Sequence, residues 1–235
     1  MEKTYKNINY LFLLILIIVI IGFFKSYFGL FPDFVNVDAT MHFHAFVLIL
    51  WFGLLIVQPI LIRKKQIKIH RFLGKFSYFL VPIIIFSMFF ITKHMYIREG
   101  STSMTEKERL VDLFLPLSQM IIFAILYFLA MINTHKTPLH LRYIITSSLV
   151  LLSPGLERIP IYWFNKPEQL STLFAFIVSD LLIVGLIFYD KKNGKQYNAY
   201  IISLGLLLFA HISYATIPMT EFWQLIAQKI VSYFF

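Results

Sequence analysis

The chain repeats apolar runs of the length that a bilayer demands. A helix crossing the hydrocarbon core needs roughly 17–25 mostly apolar residues. Six segments meet that requirement: 8–24, 43–62, 76–92, 113–132, 170–189 and 200–217. A seventh, 143–164, is also apolar but contains Pro154-Gly155 and the charged pair Glu157-Arg158. Proline removes a backbone donor and crowds the preceding turn, so this segment is expected to span as a broken helix. Seven spans predict an all-α, polytopic integral membrane helical bundle forming a single domain over residues 1–235. In the tail, 219–235, Phe222, Trp223, Leu225, Ile226, Ile230 and Phe234 recur near helical spacing with few charges. That pattern predicts a helix lying in the outer interface.

Composition points the same way. Hydrophobic residues make up 59% of the chain and charged residues 14%, against roughly 45–50% and about 25% in soluble domains. Too few polar side chains exist to cover a water-facing surface. The absence of cysteine excludes disulfides, thiolate zinc sites, iron–sulfur clusters and cysteine nucleophiles.

The net charge of +9 invites a nucleic-acid reading until the charges are placed. Lys3 and Lys6 precede the first span, and Arg63, Lys64, Lys65, Lys68, Arg71 and Lys75 fill the second loop. Lys136 and Arg142 lie in the fourth loop, and Lys191, Lys192 and Lys195 in the sixth. The alternate loops carry Asp33, Asp38, Glu99, Glu106, Glu108, Asp112 and Glu168. Positive residues stay on the cytoplasmic side, which predicts the cytoplasmic (inner) membrane with the N-terminus inside and the C-terminus outside. The basic excess is then topological, and no nucleic-acid partner is expected. Phe23-Phe24-Lys25 is no small-residue cleavage site, so the first run is expected to remain as a helix.

Ionisable groups within spans are costly and are functional candidates by default. Asp180 falls near the middle of the sixth span, and His211 on the seventh lies slightly outward of centre. Ser118 and Gln119 reach a similar depth, and Glu157 and Arg158 lie further out. His42, His44 and His94 mark the outer boundary, His44 being the deeper of the first two. The cytoplasmic half offers Gln58, Thr146, Ser147, Ser148 and Ser203 but no ionisable group well inside. A polar pocket in the outer half follows, with Asp180, Glu157 and Arg158 as catalytic candidates.

Each candidate has two readings. Asp180 and His211 form either a carboxylate-oriented imidazole that binds a metal or proton, or a hydrogen-bonded pair joining two helices. Glu157-Arg158 is either a buried ion pair or a site at which the Arg158 fork binds an anion. His70-Arg71 and His140-x-Arg142 stand at cytoplasmic helix starts, where contact with anionic headgroups is expected. No phosphate-binding loop, HExxH zinc helix or GxSxG elbow is present. The seventh span has no lysine for a retinal Schiff base.

His42-x-His44-Ala45, Trp51-Phe52, Gln58-Pro59, His70-Arg71-x-x-Gly74, His140-x-Arg142, Ser153-Pro154, Arg158, Asp180 and Tyr189-Asp190 together resemble a group of uncharacterised bacterial multi-pass membrane proteins. The resemblance covers residues from about 40 to 212 and implies a seven- or eight-helix membrane fold without a reaction.

The leading functional expectation is a metal- or haem-binding, redox-type membrane protein. In that reading His44, His94 and His211 are metal ligands, Gln119 joins them in cofactor binding, and a transition metal or haem b is the cofactor. Alternatives are a proton-coupled small-molecule transporter and an accessory subunit of a larger membrane complex. Expected partners are the lipid bilayer, a small-molecule or metal ligand, and other chains of an oligomer or complex.

Overall fold

A computed structural model describes residues 5–100 and 103–235, which are almost wholly helical, with no strand among the described residues. The helices are α1 (Ile8–Gly22), α2 (Ala39–Arg63), α3 (Ile67–Glu99), α4 (Glu106–Asp112), α5 (Phe114–Ile132), α6 (Thr137–Phe164), α7 (Glu168–Lys192), α8 (Asn198–Thr216) and α9 (Glu221–Phe234). Six stretches are long and apolar enough to cross a membrane: α2, α3, α4 with α5, α6, α7 and α8. α1 is equally apolar but has 15 residues. At 1.5 Å per residue it is about 22 Å long, against a core of about 30 Å. The chain is therefore a multi-pass helical membrane bundle.

Local chemistry sets several boundaries. The Asp38 carboxylate accepts the Met41 backbone N–H at 2.9 Å and opens α2. Thr105 and Glu108 form a reciprocal capping box at the start of α4. Asn165, in the left-handed region at φ 50°, stops α6, a conformation that its short polar side chain tolerates.

Sequential helices run up and down, so the connections gather at two ends. The basic end holds the N-terminal segment and the turns near Lys65, Lys136 and Lys195. The mixed end holds the turns near Asp33, Gly100, Lys166 and Pro218. Among the described residues, the basic end carries a single carboxylate, Asp190.

α6 occupies the centre and packs against α1, α5, α7 and α8. Residues 145–153 are buried without interruption, so all its faces meet protein. Its hydroxyls are satisfied internally: Thr146 pairs with Ser203 at 2.9 Å, and Ser147 and Ser148 donate to carbonyls three residues back.

The expected break in this span is absent. α6 runs through Pro154, Gly155 and Pro160 to Phe164. Lipid offers no hydrogen-bond partner to an opened backbone, which favours continuity. Gly155 has a different job. A Cβ on Gly22 would lie 2.1 Å from the Gly155 carbonyl oxygen, and a Cβ on Gly155 would lie 2.9 Å from Val19 Cα. The glycines mark a close crossing of α1 and α6, as small residues do between membrane helices.

The tail helix α9 also differs from a free interfacial helix. Trp223 and Ala227 are buried in a second apolar cluster with Tyr96, Leu110, Leu113 and Leu117. The Trp223 indole donates to the Leu110 carbonyl at 2.7 Å, and Lys93 donates to that of Phe234 at 2.8 Å. Phe222, Leu225, Tyr233 and Phe234 remain exposed. One face of α9 is docked across the mixed end and the other is free.

Candidate functional site

α7 and α8 form a hairpin that brings Asp180 opposite His211. The Nδ1 of His211 lies 3.0 Å from the Asp180 Oδ2. With an ionised carboxylate, which can only accept, the contact requires the proton on Nδ1 and leaves Nε2 with its lone pair. Phe176, one turn before Asp180, stacks on the imidazole at 3.9 Å with 10° between the planes. The ring is thereby fixed by a bond at its edge and an aromatic on its face.

The pair is not saturated. Asp180 Oδ1 and Ser179 Oγ are buried with no hydrogen-bond partner among the described residues. Beside them is a cavity of about 20 Å³, lined by Ser118, Gln119, Ser153, Ser179 and His211 with apolar neighbours. A water needs roughly 10–15 Å³ and two to four polar partners. The space and its lining meet both conditions for one water molecule. α5, α6, α7 and α8 all contribute to this wall.

Of the sequence candidates, Gln119, Asp180 and His211 come together here. Glu157 and Arg158 do not form a pair. The Glu157 carboxylate accepts from Thr172 on α7. Arg158 turns toward α1, with its guanidinium carbon 4.3 Å from the Phe23 ring and Nη1 donating to the Pro154 carbonyl at 3.1 Å. Neighbours on a continuous helix point roughly 100° apart, so removing the break also separates the pair. Among the described residues, no carboxylate lies within salt-bridge distance of Arg158.

The three-histidine metal centre is not assembled. His44 contacts Ser87 on α3 at 3.1 Å, His94 contacts Asp38 at 2.8 Å, and His211 faces α7. Among the described residues, no group of three or more His, Cys, Asp or Glu side chains could hold a metal ion. His44 and His211 also stand on helices with different neighbours. α2 packs on α1 and α3, whereas α8 packs on α5, α6 and α7. Depth along a helix predicts level but not direction, and these side chains point to different neighbours. His42 is likewise engaged elsewhere, 2.8 Å from the Tyr27 hydroxyl and edge-on to Phe34.

The basic half does contain buried charge, contrary to the sequence expectation. Arg142 Nε donates to Asp190 Oδ2 at 2.6 Å, and both side chains are 0% exposed. Tyr5 donates to Asp190 Oδ1 at 2.7 Å and meets the Tyr200 hydroxyl at 3.1 Å. Burial pushes the Tyr5 phenol above its ordinary range, so it stays a donor. The guanidinium also bonds the Pro138 carbonyl at 2.8 Å and lies over the Tyr5 and Tyr200 rings. Arg142 therefore does not reach lipid headgroups. The signal was the isolated Asp190 in an otherwise basic loop, since an acid there needs a reason.

Comparison with protein families, with characterised proteins and with solved structures finds no match to this chain.

Proposed function

We propose that the chain is a seven-span protein of the cytoplasmic membrane, N-terminus inside and C-terminus outside, and that it is a proton-coupled small-molecule transporter. The His211–Asp180 pair is its proton-binding element. One observation carries the reading: an imidazole held by a carboxylate at membrane depth, beside a water-sized polar cavity. A proton taken at Nε2 gives an imidazolium whose charge Asp180 balances; its release restores the neutral ring. Low dielectric strengthens that coupling, and His is the side chain whose charge changes near neutral pH. Gln119, Ser118, Ser153 and Ser179 orient the water that delivers the proton. Arg158, with donors beyond its single carbonyl bond, supplies a cationic contact for an anionic solute near the mixed end. The separated histidines argue against a resident metal or haem, and no step is assigned to one. α1 completes the seventh span through its close packing on α6.

The test uses liposomes containing the full chain and the internal pH dye pyranine. A panel of small carboxylates is added outside. At least one member should acidify the interior, and Asp180→Asn and His211→Ala should abolish that response. Infrared difference spectra between acid and alkaline conditions should show imidazole bands that are missing in His211→Ala and a carboxylate stretch, shifted as its imidazole partner gains a proton, that is missing in Asp180→Asn. Equal acidification by the variants, or spectra unchanged by Asp180→Asn, overturns the proton role.

A further inference from the structure

α1 and α7 both pack on α6, and between them they leave a groove of about 460 Å³ in the basic half of the bundle. This falls within the roughly 300–1,000 Å³ of small-molecule sites, and it far exceeds the water-sized cavity beside His211. Leu149 of α6 is among its lining residues, Leu11 comes from α1, and Leu182 and Leu186 come from α7. Gly185 also lines it, and a Cβ there would meet nothing within 4 Å. Along α7 the lining runs from Leu181 to Tyr189, about 12 Å at 1.5 Å per residue. The shape is a long apolar slot whose upper end reaches Tyr5, Asn7 and Tyr189.

The charge at that end is one-sided. Lys6 lies between the lining residues Tyr5 and Asn7, and Lys191 and Lys192 follow Tyr189; all three lysines are exposed. The single described carboxylate of this end, Asp190, is buried against Arg142 and Tyr5. Among the described residues, no exposed carboxylate stands beside these lysines. Basic pockets between membrane helices bind anionic headgroups, and a slot continuing from such a pocket along the bundle wall suits a hydrocarbon chain.

We infer that the groove between α1 and α7 binds one anionic phospholipid, with an acyl chain along Leu11, Leu149 and Leu182 and its phosphate at Lys6, Lys191 and Lys192. This site is separate from the His211–Asp180 pair, and its fate does not depend on transport. Bound lipid would tie the N-terminal segment to α7, the two elements that enclose the Arg142–Asp190 network.

The probes are phosphatidylglycerol and phosphatidylcholine, each carrying a photoactivatable diazirine on one acyl chain, mixed with the purified full chain. Phosphatidylglycerol should label α1 and α7 peptides containing Leu11, Leu182 and Leu186 about fivefold or more above phosphatidylcholine. The Lys6→Gln/Lys191→Gln/Lys192→Gln variant should reduce phosphatidylglycerol labelling to the phosphatidylcholine level. Gly185→Phe should remove groove labelling by both lipids while leaving the thermal unfolding midpoint unchanged. Equal labelling by the two lipids, or labelling spread evenly over the outer helix faces, overturns the site. So do chain–chain cross-links that exclude both lipids from the groove, because a second copy would then be the occupant. If Gly185→Phe does not fold, the lysine variant and the label map decide alone.

Discussion

Arg142 and Asp190 meet at 2.6 Å with both side chains fully buried, joining the first turns of α6 to the last turns of α7. The Tyr5 hydroxyl completes the carboxylate's coordination from a segment preceding α1. Three separate parts of the chain thus depend on one ion pair. Removing one partner of a buried pair typically costs about 3–5 kcal/mol, because the other charge is left uncompensated. Asp190→Asn and Arg142→Gln should each lower the thermal midpoint strongly. Tyr5→Phe should do so less, by the about 1.5–3 kcal/mol of one hydrogen bond to a charge. If all three variants unfold like the wild type in a thermal scan in detergent, the network is not a stabilising latch.

The α1–α6 crossing predicts a different failure. Gly22→Ala brings a methyl to 2.1 Å from the Gly155 carbonyl oxygen, and backbone cannot move aside as a side-chain tip can. Overpacking of this kind costs about 1–3 kcal/mol and occasionally more. Gly53→Ala is the control, since a Cβ there meets nothing within 4 Å. Thermal unfolding should separate the two, with Gly22→Ala lower and Gly53→Ala unchanged or slightly higher. Equal midpoints would show that the helices can part without penalty.

Much of this fold was legible in the sequence because bilayer crossing is a one-dimensional constraint. Length and apolarity located every long helix, and Asp180 and His211 could be placed at one level by counting residues. Direction around each helix was not legible, and that is where the sequence reading failed. His44, His94 and His211 all fall in the outer half and suit one ligand set by residue type, but each turns to its own neighbour. Glu157 and Arg158 were paired by adjacency, which on an unbroken helix drives them apart. Arg142 and Asp190 stood one residue outside the expected spans and read as loop charges. The helices actually extend to Thr137 and Lys192, and Tyr5 closes over the pair. A proline–glycine step reads as a break in water, but here the glycine serves the approach of α1.

Docking of α9 rests on Trp223. Its ring is buried among Leu110, Leu113 and Leu117, and its N–H reaches the Leu110 carbonyl at 2.7 Å. Trp223→Phe retains the apolar body and leaves the carbonyl unpaired, a loss of about 1–3 kcal/mol. Trp223→Ala adds the cavity, for a total of about 3–5 kcal/mol. Hydrogen exchange over residues 221–234 should accelerate in that order, while exchange in α6 stays protected. Uniform acceleration across the bundle would mean that α9 is part of the global fold and not a separately docked element.

Gln119 tests the water-sized cavity apart from the proton-binding pair. It forms no hydrogen bond with Asp180 or His211, yet it lines the same space. Gln119→Leu should leave folding intact and slow carboxylate-driven acidification by roughly tenfold, as loss of a hydrogen bond worth about 0.5–1.5 kcal/mol permits. Gln119→Asn should recover part of the rate. Identical rates for Leu and wild type in the pyranine assay would remove the water from the pathway.

Orientation is open to direct measurement because the chain has no cysteine of its own. Thr134 and Gln196 are exposed in the basic-end turns, whereas Ser103 and Lys166 are exposed at the mixed end. The positive-inside rule puts the first pair in the cytoplasm. Thr134→Cys and Gln196→Cys should then resist a membrane-impermeant maleimide applied to intact cells and react only after lysis. Ser103→Cys and Lys166→Cys should react from outside. The same orientation puts α9 and the His211 cavity nearer the outer face, where the proton enters in the proposed cycle. The reverse labelling pattern would invert that direction, and labelling of all four sites from outside would show that the helices do not cross the bilayer in the proposed alternation.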